Sequence, residues 1–178
     1  MKKGILLLVI MLSTIGFIYF LVRYMGVQGF LFAWVLNFML MMFVLMFTET
    51  LKSTCTAEYF KEKKWEQKGK IYEQLGIHFF RKLLVIVGWE KLNKKENPVK
   101  NNLAALVHLE YRTKQSELGH LIIFFIVGGF SIYVAIRYSF SASGWLIFLN
   151  LLLNFYPILL QRYNRPRLQR AIQIFQRK

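Results

Sequence analysis

Two groups of side chains in this sequence have the types and spacing that chemistry needs. Glu117 and His120 lie three residues apart, so on a helix they share a face. An imidazole titrates near neutral pH, and a carboxylate beside it can fix its tautomer and raise its basicity. Together they are the best general acid/base pair in the chain. The second group is the run Gln161-Arg162-Tyr163-Asn164-Arg165-Pro166-Arg167, which closes an apolar segment and opens a basic tail. Planar guanidinium forks hold carboxylates and phosphates through paired hydrogen bonds in a way that lysine does not. Pro166 is expected to stop the helix there and to turn the arginines back toward the membrane. A plain cationic anchor would explain the charges but has no need of Gln161, Tyr163, Asn164 or Pro166.

The elements that must position these groups are membrane spans. The chain has 178 residues, is 56% hydrophobic and has a mean hydropathy of +0.37, too oily for an ordinary soluble domain of this length. Four runs, about 4–22, 30–47, 119–136 and 144–161, are nearly free of charge, and each is about long enough to cross a hydrocarbon core of roughly 30 Å. His120 is the one titratable histidine among them. The sequence therefore predicts an all-α integral membrane protein: a single domain over 1–178, four transmembrane helices, and a cytoplasmic or interfacial helical loop over 48–118 between helices two and three.

Orientation follows from Lys and Arg. Two precede the first run, fourteen lie in the 48–118 loop and six lie in the tail 162–178, leaving Arg23 and Arg137 alone on the other side. This predicts a multi-pass membrane protein with both termini and the large loop in the cytoplasm. All nine acidic residues sit in that loop, so the formal charge of +15 is concentrated at the ends. Basic segments beside anionic lipid account for it, and no nucleic-acid partner is implied. The apolar N-terminal run lacks a small-residue cleavage pattern and is expected to be retained. A single cysteine, Cys55, excludes an intramolecular disulfide, and no CxxC, HExxH, Walker-type or GxGxxG pattern occurs. A structural zinc or a nucleotide-binding fold is not expected.

Within the loop, Ile71 to Trp89 places His78, Arg81 and Lys82 on one helical face and Leu75, Phe79, Leu83 and Ile86 on another. This predicts a basic amphipathic helix over about 71–89 in the inner leaflet, with a re-entrant segment as the alternative. The stretch 93–102, with Pro98, reads as a loop. The alternative to an acid/base role for Glu117 is a capped start to the third span, with Ser116 at the N-cap and Glu117 at the positive helix end. Gly128-Gly129 is expected to let a neighbouring backbone approach that span closely. Asn37, mid-way along the second span, is expected to pair with a neighbouring helix. In the fourth span Asn150, Asn154, Pro157 and Gln161 are spaced 4, 3 and 4, a polar stripe on one face. Pro157 leaves the Leu153 carbonyl without its helical partner, and Asn154 stands beside it. Glu49, at the mouth of the second span, lies at the same expected depth as Glu117.

Residues 154–168, read as N-x-x-P-I-x-x-Q-R-Y-N-R-P-R-L, closely resemble the C-terminal signature of the glycosyl-4,4'-diaponeurosporenoate acyltransferases, small bacterial membrane proteins of staphyloxanthin-type carotenoid synthesis. Two other segments match in order: Glu66, Gly69, Lys70 and Tyr72, followed loosely by Trp89-Glu90-Lys91, and then Thr113, Lys114, Glu117, Leu118 and His120. The chain has Arg112 where the family pattern has a glutamate, and Leu121 where it has a tryptophan. The resemblance implies transfer of a fatty acyl group to a hydroxyl of a glycosylated carotenoid or similar glycolipid at the cytoplasmic face. Acyl-CoA or acyl carrier protein would be the donor, and neither metal nor cofactor would be needed. His120 and Glu117 are then the catalytic candidates. Arg162, Arg165 and Arg167 are candidates for the donor's anionic part, and Asn154, Gln161, Tyr163 and Asn164 for sugar hydroxyls or the developing oxyanion. Glu49, Glu66 and Lys70 are further candidates. The competing readings are a non-catalytic membrane scaffold that binds anionic lipid and partner proteins, and a small-molecule transporter.

Overall fold

In a computed structural model, which describes residues 2–89, 91 and 102–177, the chain is helical and contains no strand among those residues. Four helical stretches are long and apolar enough to cross a membrane: Lys2–Met25, Gly29–Leu51, Leu103–Arg137 and Ser141–Gln176. We label α1 Lys2–Met25, α2 Gly29–Leu51, α3 Lys70–Gln74, α4 Ile77–Ile86, α5 Leu103–Arg137, α6 Gly144–Asn150 and α7 Tyr156–Gln176. A π-helical turn, Leu151–Phe155, joins α6 to α7. The expected loop at 93–102 lies, except for Asn102, outside the described residues, as does Glu90.

The chain forms two compact units. One comprises 1–53 and 118–157, the other 54–117 and 158–178. In the first, α1 and α2 form a helical hairpin through a short turn at Gly26, whose φ of +71° suits a residue without Cβ. Lys3 donates to the Leu51 carbonyl at 2.8 Å, a cation placed on the negative end of α2. The core is aliphatic and aromatic, with Phe32, Leu36, Leu40, Val127, Val134 and Leu146 fully buried. The outer surface is just as apolar. Ile5, Leu8, Leu12, Ile15 and Tyr19 of α1 are all exposed, a contiguous face that water would penalise and a bilayer solvates.

Several local expectations are corrected. Helix α5 begins at Leu103, well before Ser116, so Ser116 is an interior residue. The cap is Asn102, whose Oδ1 accepts from the Ala105 amide at 2.8 Å. Good helix formers and a Glu110–Lys114 pair at 2.8 Å carry α5 through 103–118, the last part of the region expected to be a helical loop. The single amphipathic helix over 71–89 is instead two short helices, because Gly76 in the left-handed region (φ +79°) ends α3. Within α4, Ile77 and Phe80 are buried, while Phe79 and Ile86, on the side expected to face the leaflet, are 75% and 81% exposed. At ten residues α4 is too short to span. The Gly128-Gly129 pair mediates no tight approach, since a Cβ at Gly129 would meet nothing within 4 Å and one at Gly128 only Asn150 at 3.8 Å.

Candidate functional site

The first unit holds an uncharged polar network. Pro157 has no amide hydrogen to give to the Leu153 carbonyl, and the helix widens to a π turn just before it. Asn154 sits inside that turn with 0% exposure. Its amide nitrogen donates to Asn37 Oδ1 at 2.7 Å and to Asn150 Oδ1 at 3.0 Å, while Asn150 and Asn37 donate in turn to the carbonyls of Phe124 (3.0 Å) and Ala33 (2.8 Å). Asn37 thus pairs across helices, as its position suggests. His120, one turn into the apolar half of α5, places Nδ1 3.4 Å from Asn154 Oδ1 and also meets the proline-freed Leu153 carbonyl.

The second unit holds a charged one. Glu117 is 0% exposed and Glu66 2%. Arg162 Nε donates to Glu117 Oε1 at 2.7 Å, its Nη1 to Glu66 Oε1 and its Nη2 to the Tyr59 carbonyl at 2.8 Å. Arg165 Nη2 donates to Glu117 Oε2, its Nη1 to the Phe60 carbonyl at 3.0 Å and its Nε to Thr113 Oγ1 at 3.4 Å. Tyr72 OH donates to Glu66 Oε1 at 2.9 Å, and the Lys63 amide donates to Glu66 Oε2 at 3.1 Å. Among the described residues, no buried side-chain polar atom lacks a partner. Burial, reinforced by the charge of Glu117, pushes the Tyr59 phenol above its usual pKa, and burial with the Glu66 hydrogen bond does the same more strongly for Tyr72.

The backbone that delivers Glu66 and Tyr72 is unusual. Gln67, Lys68 and Gly69 are three successive residues with positive φ (49°, 57° and 88°). Only at Gly69 is the absence of a side chain a packing requirement too, since a Cβ there would lie 3.2 Å from the Tyr163 carbonyl oxygen. The spacing of Glu66, Gly69 and Tyr72 therefore has a physical basis. The left-handed turn folds the tyrosine back onto the carboxylate, and glycine admits the neighbouring helix.

These placements change how the expected residues group. Glu117 and His120 do not share partners: the carboxylate is taken by two arginines, and the ring by an amide and a backbone carbonyl. Arg162 and Arg165 are buried, and their forks close on the chain's own carboxylates, so the open anion-holding forks expected of them are not present. Burying those charges unpaired would be prohibitive, which is why carboxylates meet them. Arg167 differs. Its side chain is 46% exposed, its guanidinium stacks 3.6 Å over the Tyr163 ring, and it pairs with Glu73 at 3.1 Å. Arg167 Nη1 also donates to the Tyr163 carbonyl at 2.6 Å. This contact, with the pinning of Arg162 and Arg165, holds α7 helical straight through Pro166, where a stop was expected. Gln161 donates to Ser116 Oγ at 3.2 Å, Tyr163 is buried, Asn164 is half-buried, and Lys70 is exposed at the start of α3. Glu49 is exposed near the end of α2.

Tyr59 was not singled out from sequence, and Tyr72 was named only as part of the matched motif, without a site role. Tyr72 was within reach, because it ends the same motif as Glu66. No curated protein and no solved structure matches the chain. A family model does, over residues 56–174, about two thirds of the sequence and the whole of the charged network. With Glu66, Gly69 and Tyr72 in one hydrogen-bonded turn and Glu117 clasped by Arg162 and Arg165, all within the matched region, the chain belongs to the glycosyl-4,4'-diaponeurosporenoate acyltransferase family.

Proposed function

We propose that this protein moves a fatty acyl group from a thioester donor, acyl-CoA or acyl carrier protein, onto a hydroxyl of a glycosylated carotenoid or related glycolipid at the cytoplasmic face of the membrane. The observation that carries the catalytic part is His120: a titratable ring one turn into an apolar span, held by neutral hydrogen-bonding partners. In this reading His120 accepts the proton of the attacking sugar hydroxyl as its oxygen bonds to the thioester carbon. The C–S bond then breaks, and the proton passes to the departing thiolate. Arg167, exposed and stacked on Tyr163, supplies the cation for the donor's anionic part, with Gln161 and Asn164 on the same helix for polar contacts. Within the second unit, Glu117, Glu66, Arg162 and Arg165 hold the fold around Arg167.

Membranes containing the protein, supplied with acyl donor and either a glycosylated carotenoid or a plain glycolipid, test the reaction and its acceptor together. His120→Ala should lower turnover by about 10²- to 10⁴-fold, the range general-base catalysis supplies, with the protein still present in the membrane. Full turnover in His120→Ala would remove the base. Absence of any acylated product from the unaltered protein with both acceptors would instead favour a scaffold.

A further inference from the structure

We infer that Asn154, locked by Asn37 and Asn150, is a positioning residue that holds His120 as the Nδ1–H tautomer and so leaves Nε2 as the basic nitrogen. For the use of that nitrogen, the inference rests on the acyl-transfer reading. For the tautomer itself, it rests on the network alone.

The direction of every hydrogen bond in the network is set from its ends. A backbone carbonyl can only accept, so Asn37 must turn its amide nitrogen toward Ala33, 2.8 Å away, and Asn150 must turn its own toward Phe124, 3.0 Å away. Each therefore presents its oxygen to Asn154, at 2.7 Å and 3.0 Å. Those two acceptors consume both hydrogens of the Asn154 amide. Its oxygen is then the only atom it can turn to His120 Nδ1, 3.4 Å away, and an oxygen facing a ring nitrogen requires that nitrogen to carry the hydrogen. The Leu153 carbonyl, which the ring also meets, is an acceptor too and cannot supply that hydrogen. A neutral imidazole has one N–H. With that hydrogen on Nδ1, the lone pair available for a proton is on Nε2.

This reassigns Asn154. With 0% exposure and every polar hydrogen and its oxygen committed, it acts on the reaction through His120 and not on a sugar or an oxyanion. It also explains why three amides, not one, are buried here. A lone Asn154 could flip and offer its NH₂ to the ring, selecting the opposite tautomer. Asn37 and Asn150 remove that choice.

The chain has three histidines, and His78 and His108 are exposed, so a His78→Gln/His108→Gln variant leaves one imidazole. Ring ¹⁵N shifts of that protein in lipid nanodiscs, labelled with ¹⁵N-histidine at a pH where the ring is neutral, read the tautomer without any substrate. The expected spectrum has a protonated Nδ1 and a bare, pyridine-type Nε2. A protonated Nε2 in this otherwise native network overturns the inference. Asn37→Leu frees one Asn154 hydrogen and should mix or reverse the tautomers, while Asn154→Leu should abolish the preference. In the acylation assay Asn154→Leu should lower kcat on the order of 10²-fold with KM nearly unchanged. A rise in KM at constant kcat would return Asn154 to substrate binding. If the wild-type tautomer is as stated but His120→Ala keeps full turnover, the network assignment stands and the catalytic reading falls.

Discussion

The amides around Asn154 carry no charge, and they engage His120 through Nδ1 alone. Around Glu117 four full charges are buried, and each oxygen of Glu66 and Glu117 already has a donor from the chain itself. Both arrangements satisfy polar groups away from water, but at different risk. Neutral amides are inexpensive to bury once paired, whereas buried ions depend on each partner being present. The comparison separates a network with spare chemical capacity from one that has none. Residues of the first kind should change rate when altered, and residues of the second kind should change folding.

The largest effect should come from opening the charged network. Glu117→Leu would leave Arg162 and Arg165 facing one carboxylate fewer, and breaking a buried pair in this way costs about 3–5 kcal/mol. Unfolding of the purified protein in mixed detergent measures it. A loss below about 1 kcal/mol, typical of exposed pairs, would mean that water reaches the arginines and that the contrast with the amides is not one of burial.

Tyr72→Phe should come next, at about 1.5–3 kcal/mol, since it removes a hydrogen bond to an ionised group. It also carries a pH signature. The Tyr72 pKa is raised in the folded protein, first by burial and then by Glu66. Its contribution is therefore fully present below the unfolded value of about 10 and is lost as pH rises from there toward the higher folded value. The unaltered protein should lose stability above about pH 10 more steeply than Tyr72→Phe does. Parallel alkaline limbs would show that the phenol is not held by the carboxylate.

The four apolar helices were legible because hydrophobic length is a local property of sequence, and the Asn150/Asn154 stripe because helical spacing is too. Partner choice was not. Glu117 and His120 are neighbours in sequence, yet Glu117 is claimed by arginines 45 and 48 residues away. No local rule ranks a buried guanidinium above an adjacent imidazole; the cost of an unpaired buried charge does so once the chain is folded. Pro166 misled for a related reason. Its intrinsic penalty, about 3 kcal/mol, was outweighed by side-chain contacts on either side of it that only tertiary structure provides. Gly76 was visible in the sequence, but that it would adopt a positive φ and divide 71–89 was not.

A smaller effect, about 1–2 kcal/mol, is expected from Gly69→Ala, which forces a Cβ into the left-handed region and toward the Tyr163 carbonyl at 3.2 Å. Gly129→Ala is the control, because it lies within α5, has negative φ and opens onto space, and should be neutral or slightly stabilising. Equal effects at the two positions would show that the turn at 67–69 is not what brings Glu66 to the arginines.

The least effect on folding is expected where the charged unit is open to solvent. Glu73 and Arg167 are both partly exposed, so Glu73→Gln should cost no more than about 1 kcal/mol, and less as salt is raised. Arg167→Lys should be similarly mild for stability, because lysine keeps the charge and the buried pairs are untouched. It loses the flat surface over Tyr163 and the second donor, so in the acylation assay KM for the thioester donor should rise several-fold while kcat holds. The same substitution at Arg165 should do the reverse, lowering the amount of folded protein without a specific change in donor KM, because its fork is spent on Glu117 and Phe60. If Arg165→Lys folds normally and raises donor KM while Arg167→Lys does nothing, then the buried fork opens to the donor during turnover. The line drawn between a network that reacts and one that only holds would then run through Arg165.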